Sequence, residues 1–255
     1  MNRDSNTYTI LYAAIMVVVV AIALALTAVA LRKPQQENER IDKMQQILRA
    51  VHLEPTKDQV IPTYTKVIKQ ELLVNGQGEV IATFEGDQIA QNEAFQMNTA
   101  NQFKLRQQDP SLGLPVYVAE VEGQQLYIFP MDGAGLWGAI WGFLAVQADG
   151  STVYGTDFSH AGETPGLGAE IATKHFSKEF VGKQLYRDEQ FKSIAVVKHG
   201  RSLDDQDYVD GISGGTLTSN GVNNMLWSSI HEYLPYIEQI RGAQAVAVEY
   251  QERVI

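Results

Sequence analysis

"GAGLWGAIWGFLAVQADGSTVYGTDF", residues 133–158, admits two readings, and the choice between them sets the fold. Its first six residues match G-x-G-x-x-G, the pattern that joins a strand to a helix in dinucleotide-binding α/β domains. That fingerprint requires a helix to begin at once. The next nine residues, "AIWGFLAVQ" at 139–147, have no apolar stripe at helical spacing and are rich in strand-forming types. Ala148, Asp149 and Gly150 then supply a turn, and "STVYGTDF" reads as the returning strand. The stretch is a hairpin entered through a tight glycine loop, with Leu136 and Trp137 displayed at the loop tip.

The neighbouring sequence agrees. "PVYVAEV" at 115–121 and "QQLYIF" at 124–129 meet at "EGQ" and form a second hairpin, and "FKSIAVVKH" at 191–199 reads as one further strand. Val222, Met225, Leu226, Ser229, Ile230, Tyr233 and Leu234 follow helical spacing, with Pro235 expected to end the run. Strands in the middle and a helix at the end indicate an α+β domain rather than a doubly wound sheet. Residues 54–114 mix strand-like pieces such as "EVIATF" with polar stretches rich in Gln and Asn, and present no site.

Further toward the N-terminus, Ile10 to Leu31 carry no charge, and Tyr12 and Thr27 are the only polar side chains among them. As a helix this run reaches roughly 33 Å, enough for a hydrocarbon core of about 30 Å. A cleaved signal peptide is the competing reading. The length of the run, and the lack of a small-x-small site before Arg32 and Lys33, favour a retained single-span anchor. Arg3 precedes the span, whereas Arg32, Lys33, Arg40, Lys43 and Arg49 follow it. Such counts mislead when a long domain follows, so charge leaves the side of the membrane open. Residues 34–53 form an amphipathic helix whose stripe is Ile41, Met44, Ile47, Leu48 and Val51.

Composition narrows the chemistry. A net charge of -10 without a Lys/Arg run argues against a nucleic-acid surface. The absence of cysteine removes disulfides, thiolate metal sites, cysteine-held iron–sulfur clusters and cysteine nucleophiles from this chain. His52, His160, His175, His199 and His231 show no metal-ligand spacing, and no G-x-S-x-G elbow is present. No metal site and no side-chain acid–base catalysis are therefore expected.

One loop stands out. "DGISGGTLTSNGV", residues 210–222, crowds hydroxyls among glycines just ahead of the helical run. A helix N-terminus favours a phosphate, through unpaired N–H groups and the helix dipole. N-capping by Ser219 or Asn220 accounts for those two residues. It leaves "SGGT" unexplained, whereas a phosphate carried at Thr216 accounts for hydroxyl, small neighbours and helix together.

This loop resembles the flavinylation motif of the FMN-binding domain family. With "GAGLWG" at 133–138, "GETPGLG" at 162–168 and the N-terminal span, the chain is similar to the C subunits of sodium-translocating NADH:quinone oxidoreductases. The resemblance implies FMN esterified through its phosphate to Thr216, with Ser213, Gly214 and Gly215 completing the motif; Gly215 stands where alanine is usual. It also implies that Thr164 and Leu167 of the "TPGLG" loop, and Trp137, lie against the flavin. The implied activity is an electron relay in a sodium-exporting complex, between flavin and iron–sulfur subunits and a second flavin-bearing membrane subunit and quinone. A threonine hydroxyl is a poor nucleophile without a base, so maturation implies a separate flavin transferase with FAD as donor. The expected place is the bacterial inner membrane, with the soluble domain on the periplasmic side. The implied division is an anchor at 1–33, a connecting helix and first part of the soluble domain at 34–113, and the FMN-binding domain at 114–255. Three alternatives stand beside this reading: the G subunit of the related ferredoxin-linked electron-transport complex, a membrane-anchored binding module without cofactor, and a nucleotide-dependent enzyme using Gly133 to Gly138.

Overall fold

In an apolar medium every backbone N–H and C=O must be satisfied within the segment, which an uncharged run of this length achieves as a helix. Helix α1 spans Asn6–Ala50. The computed structural model describes residues 6–254, and the chain divides into two units, residues 1–43 and 44–255. In the first unit every residue from Thr9 to Glu39 is exposed. Thr27 returns its hydroxyl to the Ala23 carbonyl at 2.8 Å, so the one polar group deep in the run is satisfied inside the helix. Pro34 interrupts the backbone ladder just after Arg32 and Lys33, where the apolar stretch ends. Among the described residues this is the only helix long and apolar enough to cross a membrane, and it fits a membrane anchor.

The second unit opens with the last turns of α1, whose Met44, Ile47 and Leu48 are fully buried. Helix α2 (Val60–Val67) buries Val60, Tyr64 and Val67, three positions on one helical face. Strands β1 (Ile68–Val74) and β2 (Val80–Glu85) follow. Short helices α3 (Glu93–Gln96) and α4 (Thr99–Arg106) are each started by an asparagine: Asn92 accepts from Phe95 N at 3.0 Å and Asn98 from Asn101 N at 2.9 Å.

The two hairpins read from the sequence then appear as β3 (Leu114–Val121) with β4 (Gln124–Ala134), and β5 (Ala139–Gln147) with β6 (Val153–His160). Glu122 (φ 52°) and Gly123 (φ 80°) make the first turn, with the two positive φ values that match the twist of the strands. In the second, Asp149 Oδ1 accepts from Ser151 N and Thr152 N, each at 2.8 Å. All six strands pair antiparallel in the order β2-β1-β3-β4-β5-β6. Helix α5 (Lys174–Lys178) leads to two small ribbons, β7 (Tyr186–Arg187) with β8 (Gln190–Phe191), and β9 (Ala195–Val197) parallel to β10 (Tyr208–Asp210). Helices α6 (Thr216–His231) and α7 (Leu234–Val254) close the chain.

Pleating sends alternate residues to opposite faces. Val116, Val118, Phe129, Met131, Ile140 and Leu144 share a core with Val222, Met225, Leu226 and Ile230 of α6. On the other face, Trp141 Nε1 donates to Gln46 Oε1 at 2.9 Å, and Arg49 makes a bidentate pair with Asp157 at 2.8 and 2.9 Å. The sheet is thus covered on both sides, which is the α+β architecture expected.

Three details depart from the sequence reading. "FKSIAVVKH" is not one strand: Lys192 N and Ser193 N both donate to the Leu185 carbonyl, and Ser193 takes φ 61°, so the chain turns between β8 and β9. The last apolar run begins earlier and breaks sooner than expected, because Pro235 does not end a helix but occupies the first turn of α7, where its missing N–H costs nothing. Neither Ser219 nor Asn220 caps α6. Its N-cap is Gly215, and Ser219 lies one turn inside, its Oγ accepting from Ile212 N at 2.9 Å.

Candidate functional site

The site is assembled from three loops that glycine makes possible. The first joins β4 to β5. Pairing continues to Ala134↔Ala139, and Gly135 N closes the loop on Gly138 O at 2.8 Å. A Cβ on Gly133 would lie 2.7 Å from Met225 Cβ, and one on Gly135 would collide with the Glu163 carboxylate. These glycines permit close packing against α6 and Glu163, and a strand follows them. Leu136 and Trp137 protrude at the tip, 49% and 67% exposed.

The second loop follows β6. Leu167 N donates to the Thr164 carbonyl at 3.1 Å, and Gly166 has φ 74°. Proline at the second position and a positive-φ glycine at the third are what a type II turn demands. The third loop uses the same device: Gly215 N reaches the Ile212 carbonyl at 2.9 Å, with Gly214 at φ 75°. A Cβ on Gly214 would sit 2.7 Å from Leu167 Cδ2, so the two turns touch. Helix α6 starts immediately afterwards at Thr216, with no side-chain cap, and its first bond runs from Ser219 N to Gly215 O at 2.9 Å. The N–H groups of residues 216–218 therefore lie at an uncapped helix start.

Glu163 ties the loops together. It is 4% exposed, and its carboxylate accepts from Trp137 N at 2.9 Å and from Thr218 Oγ1 at 2.6 Å. Burial pushes its pKa up. The Thr218 hydroxyl, the N–H groups of Trp137 and Leu136 and the neighbouring His160 more than offset that, and hold it below the ordinary glutamate value. Removing the charge has a predictable cost. Glu163→Gln turns an amide donor toward existing donors and should lose about 1–3 kcal/mol at neutral pH. A depressed carboxyl pKa contributes stability above its unfolded value near ~4.3, and that contribution is lost as pH falls through the folded value. Urea unfolding of wild type and variant should accordingly show a gap at pH 7 that narrows below about pH 4.

Between the loops lies a cleft of ≈ 150 Å³ lined by residues of all three, Leu136, Glu163, Thr164, Leu167, Gly214, Gly215, Thr216, Leu217 and Thr218 among them. Five of the residues proposed from sequence therefore meet: Thr164, Leu167, Gly214, Gly215 and Thr216. Ser213 forms the exposed corner of its turn and does not line the cleft. Trp137 contributes its backbone N–H to Glu163, and it is Leu136 that faces the cleft. Sequence reasoning missed Glu163, Leu136, Leu217 and Thr218. Glu163 had a signal, as the one acid in an otherwise glycine-rich and apolar motif.

Gly215 can be tested directly. Its φ of −107° suits any residue, but a Cβ would come within 3.1 Å of Ile212 Cβ and 3.3 Å of Gly168 N. Glycine also outranks alanine as an N-cap. Gly215→Ala should cost about 1 kcal/mol by thermal unfolding, the lower chain entropy of alanine offsetting part of the crowding.

The FMN-binding domain family matches residues 135–231, the stretch that supplies the whole lining of this cleft. The C subunit of Na(+)-translocating NADH-quinone reductase from Haemophilus ducreyi is 32% identical over 94% of this chain and 96% of its own length. Its counterpart from Neisseria meningitidis serogroup B is 33% identical, covering 86% of this chain and 88% of its own. A crystal structure of the C subunit from Parabacteroides distasonis superposes with a TM-score of 0.72 at 46% identity, over 81% of this chain and 96% of that one. The chain belongs to the family of Na(+)-translocating NADH-quinone reductase C subunits.

Proposed function

We propose that this protein carries FMN in ester linkage to Thr216 and relays electrons between other flavin and iron–sulfur subunits of the reductase. In this reading it is held in the bacterial inner membrane by its apolar helix, with the second unit on the periplasmic side. The observation that carries the reading is the convergence of the three loops on Thr216, an exposed hydroxyl at the uncapped start of α6.

The residues fit FMN. N–H groups at the helix start and the helix dipole suit its phosphate. Exposed Gly214 leaves the backbone bare beside the cleft, while Gly215 is buried against Ile212 and Gly168 and brings these loops close at Thr216. Leu136, Leu167 and Leu217, exposed by 49%, 42% and 60%, give an apolar rim for a flat ring system, with Thr164 at the wall and Trp137 beside the rim. When bound, FMN supplies the electron-carrying chemistry, and the protein positions and tunes it.

Attachment needs help from outside the chain. Thr216 Oγ would attack the FMN phosphorus of FAD, the pyrophosphate P–O bond would break, and AMP would leave. The hydroxyl proton needs a base. No histidine lines the cleft, and its carboxylate, Glu163, is engaged by Thr218 and Trp137. A flavin transferase therefore supplies the activation.

The test is flavin fluorescence of the denatured full-length chain, produced together with a transferase. Flavin that remains with the polypeptide after denaturation and gel filtration is the expected result; a colourless chain overturns the covalent reading.

A further inference from the structure

Glu163 is a buried anion without a buried cation. Its carboxylate is satisfied by dipoles, namely the Thr218 hydroxyl at 2.6 Å, Trp137 N at 2.9 Å and the N–H of Leu136. None of the ion pairs found among the described residues includes it. His160 lies beside it, with Nδ1 of that ring placed to accept the Glu163 backbone N–H at 3.2 Å rather than to pair with the carboxylate. The space around the carboxylate is reserved for it: a Cβ on Gly135 or Gly168 would run into its oxygens, and one on Gly168 would also sit 2.5 Å from Thr218 Oγ1. A fully hydrogen-bonded structural carboxylate explains these contacts. Its location in the wall of the cleft that holds Thr216 goes further, because a unit charge in a site of low effective dielectric acts on any electron carrier seated there.

We propose that Glu163 is a positioning residue that also sets the reduction potential of the site: its carboxylate locks the three loops around Thr216, and its fixed negative charge disfavours electron addition to a flavin held there. This rests on the FMN reading above. The direction follows from electrostatics, since a nearby anion raises the free energy of the more negative, reduced state. Two substitutions separate charge from packing. Glu163→Gln keeps the shape and removes the charge. Thr218→Val keeps the charge and the shape of the neighbour, but removes the hydroxyl dipole that screens the carboxylate.

The experiment uses the full chain produced with a transferase, at pH 8, with each protein equilibrated against a reference dye of similar potential. Glu163→Gln should raise the reduced-to-oxidised flavin ratio at least about tenfold, since one unit charge at an effective dielectric near 20 is worth that much or more out to about 12 Å. Thr218→Val should lower the ratio. Shifts of the same sign in both variants would mean simple loosening of the cleft and would overturn the inference, as would no shift in Glu163→Gln. If Glu163→Gln fails to fold or to acquire flavin, Thr218→Val decides alone: a lowered ratio supports the inference, and an unchanged or raised ratio overturns it. Loss of flavin from both variants would make these residues attachment determinants and overturn the charge-setting role. Flavin missing from the wild type removes the FMN reading and this inference together, which distinguishes that outcome from a wild type with flavin and an unresponsive Glu163→Gln.

Discussion

Thr216→Ala yields a folded chain whose intact mass is that of the bare polypeptide, whereas the wild type exceeds it by one FMN less a water. The variant folds because Thr216 is exposed at the first position of α6, where alanine is at least as good a helix former. It loses the flavin completely because ester formation needs that oxygen. Thr218→Ala is the matching control. Thr218 is 1% exposed and gives its hydroxyl to Glu163, so its loss should cost about 1.5–3 kcal/mol yet leave the mass increment in place. The reverse pattern, flavin kept in Thr216→Ala and lost in Thr218→Ala, would place the attachment point two residues further along the chain.

The second large effect is all-or-none and concerns compartment. Deleting residues 1–33 removes the uncharged run and leaves the unit that begins at Met44 whole. This shortened protein should stay in the supernatant when membranes are pelleted, because the unit that begins at Met44 packs its own hydrophobic core between the sheet and α6. Made in the cytoplasm without a transferase it should be folded and colourless. Exported by a secretory signal and co-produced with the transferase, it should absorb in the flavin band. The reason is local chemistry: no group lining the cleft is free to take the Thr216 proton, as Glu163 already serves three donors. Equal absorbance from the cytoplasmic preparation would defeat both the periplasmic placement and the need for a transferase.

Much of the molecule was legible because its signals are local. The uncharged run from Ile10 to Leu31 needs no partner to be read as a helix of membrane length, and α1 contains it entirely. The strand-forming run at 139–147 and its return at 151–158, with Asp149 and Gly150 between them, specify a hairpin whatever surrounds it. The same logic correctly separated "GAGLWG" from a nucleotide fingerprint, since it leads into strand β5 and not a helix. Local rules failed where a distant group prevailed over the near one. Ser219 has the chemistry of an N-cap, but its hydroxyl is taken by Ile212 N, because the turn at 212–215 hands the cap to Gly215.

By itself, then, the sequence determined the long apolar helix, the two hairpins and the loop at 210–222 that crowds hydroxyls among glycines, each written in contiguous residues. Only the tertiary structure decided that Thr216 shares a cleft with "TPGLG" and Leu136, and that Glu163 is the residue holding them. Its donors Trp137 and Thr218 lie 26 and 55 residues away along the chain. Contacts at that separation obey no periodicity, and they exist only because burial of the sheet against α6 brings three glycine loops within hydrogen-bonding reach of one carboxylate.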